Sequence, residues 1–257
     1  MTLHDKLVAF RTIVIKEFLR FIRIWLQTVL PPMVTTALYF VIFGNLIGSQ
    51  IGDMQGFRYM DYIVPGLIMM AVITNSYANV VSSFYGSKFQ RHIEEMLVSP
   101  VPNYIILLGF ITGGVARGLT VGIAVTAVSL FFSNVHVHSL AVVVTVGILT
   151  SVLFSLGGFI NGVFAKSFDD ISIVPTFVLT PLTYLGGVFY SIHMLPAFWQ
   201  HVSRANPILY MVNGFRYGFL GVSDISLYAS YAIITAFIIG LFSFGLYLLN
   251  RGYGIRS

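Results

Sequence analysis

Apolar residues recur along this chain in runs far longer than a surface helix needs. A membrane-crossing helix takes about 20 mainly apolar residues. Six runs meet that length: Trp25–Ile47, Asp61–Tyr85, Tyr104–Phe132, Leu140–Ala165, Ile173–Ser191 and Leu227–Asn250. A seventh stretch, Ile192–Gly221, is interrupted by Pro196, Arg204, Pro207 and Arg216, and its uninterrupted pieces are too short to cross. It reads as an outer re-entrant or interfacial segment before the last span. Ahead of the first run the period changes. Leu3, Leu7, Phe10, Val14, Phe18, Phe21 and Trp25 recur at three- and four-residue steps, with Lys6, Lys16, Arg20 and Arg23 on the other side. That spacing predicts an amphipathic helix over residues 1–24, lying in the membrane interface with its basic face toward anionic headgroups. The expected fold is an all-α polytopic membrane domain of six transmembrane helices over residues 1–257. The amphipathic helix precedes the spans, and the outer segment, residues 192–221, precedes the last of them.

One polar stretch between the second and third runs has a pattern of its own. Ser87 is a residue type that caps helices, and Pro100 and Pro102 stop them, so a short helix is expected over residues 87–99. Phe89, Ile93, Met96 and Leu97 fall on one side of it, leaving Arg91, Glu94 and Glu95 to face a partner. A plain interfacial loop would account for the capping, but less well for the charges gathered there. The next hairpin on the same side, with Lys166, Asp169 and Asp170, reads as a solvated turn.

Composition narrows the class. Of 257 residues only 9% are charged and 57% are hydrophobic, with a mean hydropathy of +0.88. Soluble domains carry about 25% charged residues, so a soluble globule and a disordered chain are both excluded. Cysteine is absent, which removes disulfides, thiolate nucleophiles and zinc–thiolate sites. The net charge of +5 makes sense as a topology bias rather than a nucleic-acid surface. With the N-terminus placed in the cytoplasm, Lys6, Arg11, Lys16, Arg20, Arg23, Lys88, Arg91, Lys166, Arg251 and Arg256 fall inside and Arg58, Arg204 and Arg216 outside. Both termini are therefore expected to be cytoplasmic. The spans leave no room for a separate soluble catalytic domain, and the polar, basic first residues do not read as a cleavable signal.

Several residues inside the runs stand out. Arg117 is the one basic residue deep in a span, at a cost of roughly 2.5–3.5 kcal/mol on insertion scales. Its own run holds no acid, so it pairs elsewhere or faces a polar substrate. Asn75, Asn79 and Ser82 form a polar stripe on the second run, and Thr176, Thr180 and Thr183, with Tyr184, form one on the fifth. In lipid such groups face protein or a cavity, so they serve either as interhelical glue or as a substrate path. Gly114, Gly118 and Gly122, beside Gly109 and Gly113, allow close helix approach, as do Gly147, Ser151, Ser155, Gly158 and Gly162. Packing within one subunit is the plainer reading of both stripes.

Catalytic chemistry is missing. No G-x-x-x-x-G-K-[ST], G-x-S-x-G or H-E-x-x-H occurs, and His136 with His138, the one close histidine pair, has no carboxylate beside it. Paired intramembrane carboxylates, which an ion-driven carrier would use, are absent too. A transporter of this composition needs an external motor.

Two segments then match a known pattern. Pro175-Thr-Phe-Val-Leu-Thr-Pro-Leu-Thr-Tyr-Leu-Gly-Gly-Val-Phe-Tyr190, followed by Leu195-Pro196, Asn206-Pro207 and Gly214-Phe-Arg216, resembles the C-terminal half of the type-2 ABC export permeases. Arg91-His-Ile-Glu-Glu-Met-Leu-Val-Ser-Pro100 resembles the loop after their second span. With the N-terminal helix and six spans, the resemblance covers nearly the whole chain. It implies a bacterial inner-membrane permease subunit that pairs with a second copy and with two separate ATPase subunits, which would hold ATP and magnesium. This chain would carry no cofactor, no metal and no catalytic residue of its own. The N-terminal helix would be a connecting helix. Residues 87–99 would be the coupling helix, with Phe89, Arg91, Ile93, Glu94, Glu95 and Met96 at the ATPase. Asn75, Asn79, Thr176, Thr180 and Tyr184 would line the path, capped by the outer segment. Arg117 gains no role from the resemblance. The alternative from the residues alone is a secondary carrier or channel acting without an ATPase. Neither reading names a substrate.

Overall fold

The computed structural model describes residues 1–134 and 136–254. It is nearly all helical, and five helices are long and apolar enough to cross a membrane: Trp25–Gly44, Tyr59–Phe89, Asn103–Ser129, Leu140–Phe164 and Leu227–Arg251. Arg256, counted above among the basic residues, lies outside the described residues.

The chain begins with α1 (Leu3–Arg23), opened by a capping box in which Thr2 and Asp5 exchange hydrogen bonds. These bonds, with the backbone amide of Thr2 as the main donor, hold the exposed Asp5 carboxyl below its ordinary value. α2 (Trp25–Tyr39) carries Pro31 and Pro32 within it and continues through a π-helical stretch, Phe40–Ile47, into the short α3 (Gly48–Ile51). A tight antiparallel hairpin follows, β1 (Asp53–Met54) with β2 (Phe57–Arg58). Its turn residues Gln55 and Gly56 both have positive φ, the geometry whose twist matches paired strands.

α4 (Tyr59–Phe89) is the axis of the bundle and is buried along most of its length. Its 31 residues span about 46 Å. α5 (His92–Val98), α6 (Asn103–Ser129) and α7 (Leu140–Phe164) follow. α6 and α7 flank α4, and the glycine stripes make this possible. A Cβ at Gly114 would run into Val80, Ser155 and the Ser76 carbonyl, and one at Gly122 into Val72. A Cβ at Gly158 would come within 2.5 Å of the Tyr77 carbonyl. Gly109 and Gly113 take Ile13 and Glu17 of α1 in the same way. The stripes are thus consumed in packing within the subunit.

The fifth run is shorter than its apolar pattern. Helix extends over α8 (Asp170–Val174), a π-helical Pro175–Leu179 and α9 (Thr180–Tyr184), and then breaks into turns. Pro175 withholds the donor that the Ile171 carbonyl needs, and the Asn161 amide supplies one from α7 at 3.3 Å. Beyond the turns come a single 3₁₀ turn (Ile192–Met194), α10 (Ala197–Ala205), α11 (Pro207–Leu220) and α12 (Leu227–Arg251). Asn206 caps α11 and donates to the Leu182 carbonyl at 2.6 Å.

Two buried clusters make up the core. One joins the first half of α4 to α7 and α11 through Tyr62, Met69, Phe154 and Phe215. The other sits toward α5 and gathers Ile13, Phe84, Ile93, Phe110, Phe159 and Leu248.

Candidate functional site

Three polar regions are spaced along α4. At its end, the hairpin differs from the sequence expectation. Ser87 does not cap a new helix; it is buried inside α4, where Lys16 donates to its hydroxyl at 3.3 Å. α4 runs on to Phe89 because nothing breaks it earlier. The break is Arg91, held at φ +62°, and α5 is only His92–Val98. Of the six residues assigned to this hairpin, Ile93 is fully buried in the core and Met96 packs partly against it. Phe89, Arg91 and Glu95 are exposed, and Glu94 is half-buried. Glu94 and Glu95 lie in the first turn of α5, where the helix dipole favours carboxylates.

Phe89 does not share the face of Ile93. It packs on Tyr85 and Phe168, the latter at a 5.2 Å ring separation, and so ties the first hairpin to the second. Lys88 donates to the Val163 and Ala165 carbonyls at 2.6 and 2.8 Å, capping the end of α7. In the second hairpin, Asp170 accepts from the backbone amides of Lys166 and Ser167. The Lys166 amide is the main reason its carboxyl is held below the ordinary aspartate range. These groups frame a groove of about 580 Å³ between the two hairpins and the C-terminal Tyr253 and Gly254.

The second region is a polar seam between α1 and α4. Glu17 is fully buried; it accepts from the Ser83 hydroxyl at 2.6 Å and faces the Arg20 guanidinium at 3.5 Å. Arg20 also donates to the backbone and side-chain oxygens of Asn79, both at 2.7 Å, and to Ser82 at 3.3 Å. Of the basic face of α1, Arg20 therefore points into protein, not toward headgroups, while Lys16 and Arg23 stay exposed. Leu3, Leu7 and Phe18 are exposed as well. Glu17 accounts for the inward turn of Arg20, because a buried carboxylate needs a cation beside it. An acid four residues after Ile13 and four before Phe21, both buried, was the available signal for it.

The third region is a cleft of about 370 Å³ between α2, α4 and α6. Thr28, Thr35, Thr36, Thr74, Asn75 and Arg117 supply polar lining, against Pro31, Pro32, Leu67, Met70 and Ala71. Pro31 and Pro32 deprive the Gln27 and Thr28 carbonyls of their helical donors, and both of those residues line the cleft. Arg117 donates to the Asn75 side-chain oxygen at 3.3 Å.

The five residues expected on a path are thus only partly together. Asn75 lines the cleft. Asn79, one turn along, is turned onto Arg20. Thr176 and Thr180 are exposed on the flank of the bundle, the Thr180 hydroxyl bonded back to the Pro175 carbonyl. Tyr184 reaches the cleft's edge, its hydroxyl 3.1 Å from that of Tyr39, a lining residue.

At the opposite end of α4, Arg216, read from the sequence as an outer-side charge, and Asp224, not singled out from the sequence, stitch the outer segment down. Arg216 is fully buried, 4.0 Å over the Tyr62 ring, and donates to the Gly187 carbonyl at 2.6 Å. Asp224 accepts from the Ser191 hydroxyl, the Ile192 amide and the Gln55 side chain. The tight turn at Gln55–Gly56 brings that amide into reach.

Compared with known proteins, residues 8–220 match the family described as ABC-2 type transporter. The chain is similar to the inner membrane transport permease YadH of Escherichia coli (strain K12), 61% identical over 255 residues, 99% of this chain and 100% of that protein. It is also similar to nodulation protein J of Rhizobium meliloti (strain 1021), 23% identical over 207 residues, 80% of this chain and 79% of that protein.

Proposed function

This chain belongs to the ABC-2 type transporter family, and from that premise we propose that it is the membrane-embedded permease subunit of an ATP-driven exporter in the bacterial inner membrane. Two copies would form the translocation path and two separate ATPase subunits would drive it, holding ATP and magnesium. Both termini and both charged hairpins would face the cytoplasm. α8 and α9 with the turns up to Ser191 would complete a sixth crossing, and the segment from Ile192 to Gly221 would be the outer re-entrant hairpin. The hydrogen bond from Asn206 back to the Leu182 carbonyl of α9, with that from the Ile192 amide to Asp224, supports that path.

The observation that carries the reading is the build of α5. Its inner face is locked by Ile93 into a core shared with α4, α6 and α12, while Arg91, Glu95 and Phe89 stay uncovered beside a groove. A helix anchored so firmly yet charged on its free side suits a lever pushed by a partner. Copies of α5 moved together and apart by the ATPase cycle would bias two packings of the permease dimer.

Co-purification with a candidate ABC ATPase tests the docking. Wild-type permease should retain the ATPase and modulate its hydrolysis. Glu94→Arg with Glu95→Arg should lower retention at least tenfold while membrane insertion is unchanged. Full retention and normally modulated hydrolysis in that double variant would refute the role of α5.

A further inference from the structure

The electrostatics of the cleft are unbalanced, and the imbalance has a chemical direction. Arg117 is the fifteenth of the 27 residues of α6, so it lies at the middle of a spanning helix. Among the described residues it makes one side-chain hydrogen bond, to Asn75, and its Nε is buried with no partner.

No carboxylate is placed to neutralise it. The chain has nine acidic residues: Asp5, Glu17, Asp53, Asp61, Glu94, Glu95, Asp169, Asp170 and Asp224. All lie among the described residues. Eight sit in hairpins, loops or first helical turns. The ninth, Glu17, is taken by Ser83 and Arg20. A second copy of this chain has the same nine, so a dimer partner brings no acid to mid-depth either. A mid-bilayer arginine without a counter-ion is costly and marks a functional place.

We propose that the Arg117–Asn75 pair is the head-group subsite of this cleft and that its ligand is an anionic amphiphile with a phosphate or carboxylate head. The planar guanidinium fork suits such heads by paired N–H donors. Thr28, Thr36 and Thr74 share the cleft lining, the Thr28 and Thr74 hydroxyls donating to the Ile24 and Met70 carbonyls, while Pro31, Leu67 and Met70 offer an apolar wall to the chain. A cleft of about 370 Å³ is within the range of small-ligand sites, about 300–1,000 Å³. The proposal rests on the reading of the cleft as part of a transport path. It adds the ligand's charge and the residue that selects it.

Purified permease in dodecyl maltoside, without any ATPase, is titrated with dodecyl phosphate and read by native mass spectrometry. The wild type should bind dodecyl phosphate at least tenfold more tightly than a neutral twelve-carbon alcohol. Arg117→Gln should abolish that preference and Arg117→Lys should keep part of it, with both variants eluting as the wild type does on gel filtration. Inorganic phosphate at equal concentration should not compete, and its competing as well as dodecyl phosphate would overturn the amphiphile. Equal binding of charged and neutral probes, or binding untouched by either substitution, would overturn the subsite. Failure here is separable from failure of the permease reading. A permease that retains its ATPase but shows no preference refutes only the anion site, and one that prefers dodecyl phosphate but retains no ATPase refutes only the docking. Hydrolysis stimulated by dodecyl phosphate in the assembled complex would mark the amphiphile as cargo. Binding without stimulation would mark it as a resident lipid at the same site.

Discussion

Replacing Glu17 with glutamine changes one oxygen for one amide and leaves the volume alone. The consequences should be large because of what the carboxylate faces. Glu17 is fully buried and Arg20 opposite it keeps 29% of its side chain exposed. Breaking a fully buried ion pair by removing one partner costs roughly 3–5 kcal/mol, mostly because the other charge is left uncompensated. Here the arginine keeps its bonds to Asn79 and Ser82 and some contact with solvent, which reduces the cost to about 2–3 kcal/mol. That energy is local: it holds α1 against α4 and α6. Undocking should therefore rise without global unfolding. Hydrogen exchange of the amides from Ile13 to Phe21 reports it, with an expected acceleration of about 30- to 150-fold. Glu17→Gln combined with Arg20→Met removes the orphaned cation as well and should return exchange most of the way to the wild-type rate. An exchange rate for this stretch within twofold of wild type in the single variant would refute the seam as what holds α1. So would a double variant no better than the single.

Two further outcomes follow from packing. Gly114→Val must displace Val80, Ser155 or the Ser76 carbonyl and should lower the detergent melting temperature or abolish folded yield. Gly147→Ala, whose nearest neighbours stand at 3.7 Å, should leave the melting temperature unchanged or raised. Equal behaviour of the two would count against the stripe as an internal contact. Arg216→Met leaves the Gly187 carbonyl without its donor and should destabilise by about 1–3 kcal/mol. The loss should appear as protease cleavage between Ser191 and Ala205 at low protease, and an unchanged cleavage pattern would contradict the stitching.

The apolar runs were enough to place the long helices, because lipid demands about 20 apolar residues wherever a helix crosses. Leu140–Ala165 was expected where Leu140–Phe164 forms, and Leu227–Asn250 where Leu227–Arg251 forms. The faces of those helices were not legible in the same way. Lipid tails are as apolar as a core, so hydropathy does not separate a side chain on lipid from one on protein. α1 shows the effect: Leu3 and Leu7 are exposed while Ile13 and Phe21 are buried, all four equally apolar in pattern. Charge misleads there for a related reason. Arg20 looks like a headgroup ligand until Glu17 is seen to be buried beside it. Arg216 looked like a residue of an outer loop, yet the carbonyls freed at the turn after α9 draw it inside. The close spacing of Arg91, Glu94 and Glu95 was legible, but the left-handed residue that separates α5 from α4 was not, since arginine has no special tendency to that conformation.

The three polar regions and the outer stitch all touch α4, and their order along it bears on how the molecule would work. The Phe89 end carries α5. The Glu17–Arg20 seam meets α4 between Asn79 and Ser83, and the cleft borders it from Leu67 to Ala78. Tyr62, beneath Arg216, lies beyond them. Pro65 falls between the cleft and Tyr62, and it removes the hydrogen bond that the Asp61 carbonyl would otherwise receive. No loop and no other proline interrupts α4 between Pro65 and Phe89. On the proposed docking, a displacement delivered at α5 would be carried along the helix past the seam to the cleft, and α4 would yield at Pro65. On the far side, Arg216 and Asp224 hold the outer segment to the short first stretch of α4. The helix would thus divide into a long arm moving with the proposed docking hairpin and a short arm fastened to the outer segment. The cleft borders the long arm, where a push at α5 would change its shape relative to the outer segment.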